Sequence, residues 1–127
     1  MNGLNEKVAI VTGATQGIGY GIAERLAGEG MTVVVTSRDS GKAEQTASRI
    51  VSTGGKAIGL GVVVDEAESV SKMYERVMDE YGAVHVLVNN AAAVKDTLLL
   101  RMKRADWDEV INVNLGAVFQ CTQGVTR

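Results

Sequence analysis

The sequence has no proline, one cysteine, one histidine, one tryptophan and one phenylalanine among 127 residues. A lone cysteine, Cys121, excludes an intrachain disulfide and suits a reducing compartment. No apolar run approaches the ~18 residues that a membrane span needs. The stretch from Met1 to Lys7 lacks the basic-then-apolar order of a secretory leader. The expectation is a cytoplasmic protein. A net charge of −2 gives no electrostatic footprint for nucleic acid or an anionic membrane, so neither is an expected partner. The basic group Arg101, Lys103 and Arg104 reads as a solvated face. No metal site is expected. With proline absent, the 15 glycines carry most of the turn punctuation, and their placement becomes informative.

What is present suits one soluble domain with one core: 46% hydrophobic and 22% charged residues. Val8-Ala9-Ile10-Val11 is apolar without polar alternation, as a strand covered on both faces requires. A helical period follows from Ile18 to Gly30, with Ile18, Ile22, Ala23 and Leu26 apolar and Gly30 as the stop. Thr32–Thr36 reads as a second buried strand. Ser40–Val51 reads as a helix with Ala43, Ala47, Ile50 and Val51 on one face and Ser40 as N-cap. Lys56–Val64 is a third strand, interrupted by Gly59 and Gly61. Glu66–Tyr81 is a helix with Val70, Met73, Val77 and Tyr81 inward, stopped by Gly82. Val84–Asn89 is a fourth strand and Ala105–Thr122 a fourth helix. Such alternation predicts an α/β fold, a Rossmann-type doubly wound parallel sheet with strand order 3-2-1-4, in a single domain over residues 1–127.

Between the first strand and helix lies Thr12-Gly13-Ala14-Thr15-Gln16-Gly17-Ile18-Gly19. A diphosphate needs backbone N–H donors at close range, and a helix N-terminus offers them together with a partial positive charge. Gly13 can make the turn, Gly17 can admit the diphosphate, and Gly19 can let helix and strand pack closely. The spacing is G-x-x-x-G-x-G rather than the commoner G-x-G-x-x-G. At the second strand's tip stands Val35-Thr36-Ser37-Arg38-Asp39. An acid there would hold a free ribose 2′-hydroxyl. Ser37 takes that place instead, and Arg38 can clamp a 2′-phosphate, which favours NADP(H). Asp39 is a neighbouring carboxylate that could pair with Arg38.

This loop, followed by Asn89-Asn90-Ala91-Ala92 and Asn112-Val113-Asn114-Leu115, resembles the short-chain dehydrogenase/reductase family. Asp96–Lys103 and Trp107-Asp108-Glu109-Val110 are similar to the 3-oxoacyl-[acyl-carrier-protein] reductases within it. The resemblance implies cofactor contacts at Gly13, Thr15, Gln16, Gly17, Ile18, Gly19, Arg38, Val64, Asn90 and Ala91. It also implies a catalytic role for Asn114, whose carbonyl holds a water in the family's proton relay. The implied partners are the dinucleotide and a small carbonyl substrate or acyl carrier protein. Some positions depart from the family's pattern. Gln16 stands where NADP-dependent relatives often carry Arg or Lys. Val63 replaces an adenine-binding Asp or Asn unless Asp65 substitutes, Ala92 replaces Gly, and His85 replaces Asp.

The resemblance further implies a Tyr proton donor with Lys four residues on, and a Ser that polarises the carbonyl. Tyr20, Tyr74 and Tyr81 are followed at that spacing by Glu24, Met78 and His85. The chain is therefore expected to lack the catalytic part and to be inactive alone, and to self-associate through an exposed fourth strand. Three readings stand together: the cofactor-binding part of a carbonyl reductase, a non-catalytic dinucleotide module or sensor, and a scaffold without ligand.

Overall fold

The computed structural model describes residues 6–91, 103–105 and 121–122. Four parallel strands, β1 (Val8–Val11), β2 (Thr32–Ser37), β3 (Lys56–Gly61) and β4 (Val86–Val88), form one sheet in the order β3-β2-β1-β4. Helices α1 (Gly17–Gly28), α2 (Ser40–Ser52) and α3 (Ala67–Tyr81) connect them. The doubly wound fold and its strand order are those expected from the sequence.

β1 and the centre of β2 are continuously apolar because both faces of the sheet are covered. Val8 and Ile10 of β1 and Val34 of β2 join Val62, Val64, Val70, Met73, Val77 and Cys121 in one buried cluster. Ala9 and Val11 of β1 and Val33 and Val35 of β2 face the other way, against Ala23, Ala27, Ala47 and Ile50. Successive side chains of a strand point to opposite faces, so a run with no polar position needs two apolar layers.

Helix α1 buries Gly19, Ala23 and Ala27, the two alanines against the sheet and Gly19 against the loop after β1, leaving Ile22 and Leu26 at the margin and Ile18 in solvent, 78% exposed. The buried face is thus the small-residue line at four-residue spacing, which brings the helix backbone close to the strands. Both α1 and α2 end in the same glycine device. Gly30 (φ 90°) and Gly54 (φ 95°) adopt the left-handed conformation. Their N–H groups donate to Ala27 and Val51, while Met31 and Gly55 reach back to Leu26 and Ile50. These are Schellman pairs that satisfy the last carbonyls. Gly82 (φ 76°) closes α3 by donating to Met78.

Several boundaries differ from the sequence reading. The N-cap of α2 is Asp39, whose carboxylate accepts from Lys42 N, with Ser40 the first helical residue. On α2, Thr46 is buried, its hydroxyl donating to Lys42 O, and Val51 lies in solvent. Strand β3 stops at Gly61, because the Ser69 hydroxyl accepts Val63 N at 2.8 Å and Glu66 N donates to Val63 O. Those bonds turn the chain before a further ladder can form. Strand β4 is confined to Val86–Val88, and α1 and α3 start or end within two residues of their expected limits. The expected fourth helix, Ala105–Thr122, lies outside the described residues except at positions 105, 121 and 122, and so does Trp107.

Candidate functional site at the carboxyl edge of the sheet

Strand order reverses between β1 and its neighbours: β2 lies on one side and β4 on the other. In such sheets the crevice opens beyond the carboxyl ends of the strands, at that switch point. A cavity of about 450 Å³ sits there, lined by residues that follow all four strands. Gly13, Thr15, Gln16 and Gly17 come from the loop after β1, and Thr36, Ser37 and Arg38 from the end of β2. Val62 and Val64 follow β3, and Asn90 and Ala91 follow β4.

The loop's shape rests on one hydroxyl. Thr12 Oγ1 accepts from Asn90 N at 3.0 Å and Ala91 N at 3.1 Å, and donates to Val88 O at 3.4 Å. Asn90 Nδ2 then donates to Gly13 O at 2.9 Å. The ends of β1 and β4 are thereby tied together side by side. Ala14 N donates to Thr36 O, which fixes the loop to β2 as well.

Each glycine of the loop has a distinct reason. Gly13 has φ 63°, and a Cβ there would stand 2.8 Å from Ala91 Cα. Gly19 admits no Cβ because Asn90 Nδ2 and Gly13 O occupy its place. It packs against the loop and Asn90 rather than against the strand. Gly17 has φ 61° but nothing within 4 Å of its Cβ direction, so that direction is open. The N-cap of α1, Gln16, contributes no side-chain bond, which leaves the first helical amides without a side-chain acceptor.

Arg38 extends from the end of β2, and its Nη2 meets Asp65 Oδ1 at 3.1 Å. Asp39, the other nearby carboxylate, is engaged by α2. Asp65 is thus committed to Arg38, whereas the residues after β3 that line the cavity are Val62 and Val64; Val63 does not line it. His85 is exposed at the start of β4, where its Nδ1 accepts from Val8 N at 3.0 Å. Its role is to pair the open end of β1.

Of the residues singled out from sequence, Gly13, Thr15, Gln16, Gly17, Arg38, Val64, Asn90 and Ala91 come together on one cavity. Ile18 projects outside it and Gly19 lies beneath it. Asn114 lies outside the described residues. Sequence reasoning missed Thr12, Thr36 and Val62. A threonine closing a β-branched run gives no sign that its hydroxyl organises two strand ends. Among the described residues no group of His, Cys, Asp and Glu suits a metal ion, and no helix is long and apolar enough to cross a membrane.

The family model described as short chain dehydrogenase matches residues 7–127, and the chain belongs to that family. The 3-oxoacyl-[acyl-carrier-protein] reductase of Synechocystis is 43% identical over this whole chain, which covers 52% of that protein. The enzyme of the same name from Staphylococcus epidermidis is 45% identical over 94% of this chain, half of its own length. A solved metagenomic short-chain oxidoreductase in complex with NADP superposes with a TM-score of 0.90 at 34% identity, covering 97% of this chain and 57% of that one. The chain spans about half the length of the curated relatives it matches.

Proposed function

We propose that this chain binds a nicotinamide dinucleotide, with NADP(H) preferred, as the cofactor-holding part of an oxidoreductase that reduces a carbonyl to a hydroxyl. The observation that carries this reading is the convergence of three features on one cavity: the uncapped start of α1, the open direction at Gly17 and the guanidinium of Arg38. A diphosphate suits the helix amides, which carry partial positive charge and lack a side-chain acceptor. Arg38 suits a 2′-phosphate, and Ser37 places no carboxylate at the ribose. Val62 and Val64 give the adenine an apolar wall. Asn90 and Ala91 border the end of the cavity between β1 and β4, and Ile18, exposed on the first turn of α1, can cover the ligand from outside.

When bound, the nicotinamide supplies a hydride to the carbonyl carbon. This chain's residues hold and orient the dinucleotide. The domain as a whole, residues 1–127, is a cofactor-binding unit, with Asn114 the residue assigned to the proton relay. In this reading the Tyr donor, its Lys and the Ser belong to the half of the relatives' length that the chain does not span. The names of the relatives favour a 3-oxoacyl thioester on an acyl carrier protein as substrate, and the lone cysteine suits a reducing, cytoplasmic setting. Strand β4 pairs with β1 on one side and with no strand on the other among the described residues, which favours self-association there. Titration with NADPH, followed by nicotinamide fluorescence, tests the central claim.

A further inference from the structure

We infer that Asp65 weakens the NADP(H) preference of this site by competing, as an internal anion, for the guanidinium of Arg38. The inference rests on the dinucleotide reading and adds a residue that weakens the discrimination Arg38 provides.

Arg38 lines two adjoining cavities: the one of about 450 Å³ already described, and a second of about 360 Å³ walled also by Lys42 and Arg49. Of the other charged groups around this second cavity, Asp39 and Arg49 are already engaged, while Lys42 does not line the first cavity. Asp39 Oδ1 accepts Lys42 N, and the Arg49 guanidinium lies 4.5 Å from the centre of the Tyr20 ring. Arg38 is the cation common to both cavities, and the group that holds it is Asp65 at 3.1 Å. The Arg38 side chain is 57% exposed and the Asp65 side chain 24%. The arginine is therefore the freer partner.

Asp65 is held from below. It lies within the turn closed by Glu66 N donating to Val63 O, next to Val63 N, which donates to Ser69 Oγ, and its neighbour Val64 is buried in the core. The carboxylate is thus presented at a fixed place, while the long arginine can move between it and a ligand. A phosphate monoester carries more negative charge than a carboxylate, and like a carboxylate it takes guanidinium in bidentate fashion. Binding of a 2′-phosphate must break or share the Arg38–Asp65 pair. A cofactor with a free 2′-hydroxyl makes no such demand and leaves the pair intact. Asp65 therefore lowers affinity for NADPH without lowering affinity for NADH.

The test is equilibrium titration of the full chain and of Asp65→Asn with NADPH and with NADH, in wild-type and Arg38→Ala backgrounds, at low and high salt. Asp65→Asn should tighten NADPH binding by about threefold, the scale of an exposed ion pair, and leave NADH binding unchanged. The gain should shrink with added salt and vanish in the Arg38→Ala background. Asp65→Ser should repeat the result, with urea unfolding confirming that both variants fold. The inference is overturned if Asp65→Asn leaves NADPH binding unchanged, tightens both cofactors alike, or acts equally without Arg38. If the wild-type chain binds both cofactors, those failures leave the dinucleotide reading standing. If it binds neither, that reading falls and takes this inference with it.

Discussion

Replacing Gly19 with alanine separates the packing role of the loop from simple helix propensity, because Gly21 on the same helix serves as its control. Both lie in α1, and alanine in a helix interior is favoured over glycine by about 1 kcal/mol. At Gly21 a Cβ meets nothing within 4 Å, so Gly21→Ala should gain roughly that amount. At Gly19 the Cβ would fall on Asn90 Nδ2 and stand 2.6 Å from Gly13 O. Asn90 can swing aside, but its bond to Gly13 O is then lost, at about 1 kcal/mol net. Gly13 O is backbone and cannot swing. The loop must shift, and overpacking of this kind costs about 1–3 kcal/mol. Set against the propensity gain, Gly19→Ala should lose about 1–3 kcal/mol and fall about 2–4 kcal/mol below Gly21→Ala. Urea unfolding of the two variants and the wild type measures both differences. Equal stability of Gly19→Ala and Gly21→Ala would refute the packing assigned to Asn90 and Gly13.

Thr12→Val keeps the side-chain shape but leaves Asn90 N and Ala91 N without their acceptor. It should cost about 2 kcal/mol in urea unfolding and weaken any ligand bound between β1 and β4. Tyr74 donates to Cys121 O at 2.6 Å, and burial, with a smaller contribution from Cys121, pushes its phenol well above the usual 10.0. The native state therefore keeps this proton where the unfolded chain releases it. Stability is full below pH 10 and falls as pH rises beyond it. Tyr74→Phe should lower stability by about 1 kcal/mol at neutral pH and flatten the alkaline loss, as measured by unfolding at pH 8 to 11. Sedimentation velocity at micromolar concentration should show association that weakens when Asn89→Lys charges the exposed position just past β4; a stable wild-type monomer would contradict it.

The sheet was legible because its pattern is extreme. A run such as Val8–Val11 admits few alternatives to a strand buried on both faces, and a glycine just past each apolar period marks a left-handed stop. What stayed hidden depended on contacts between distant residues. Gly59 and Gly61 look like interruptions of β3, yet Gly59 lies against the Ala43 carbonyl and a Cβ on Gly61 would stand 2.9 Å from Ser40 Cβ. They are where α2 rests on the strand. Val62–Val64 continues an apolar run, and a serine hydroxyl six residues on ends the ladder. Asp39 and Ser40 are adjacent cap formers, and local sequence does not choose between them.

The candidate site divides along the same line. The loop after β1 was visible because three glycines between a strand and a helix constrain the backbone directly. Arg38 was visible from its place at the tip of β2. Its partner Asp65 lies 27 residues away, and Asp39, next in sequence, was the nearer suspect. The hydroxyl of Thr12 joins positions nearly eighty residues apart, a pairing that follows only from β4 lying beside β1.

The most direct measurement is the affinity of the chain for NADPH and NADH, with and without Arg38. The account predicts saturable binding of NADPH, tighter than NADH. Arg38→Ala should cost NADPH about tenfold, the scale of one charge-assisted hydrogen bond, while leaving NADH nearly unchanged. No saturable binding of either cofactor, or equal losses for both in Arg38→Ala, would contradict it.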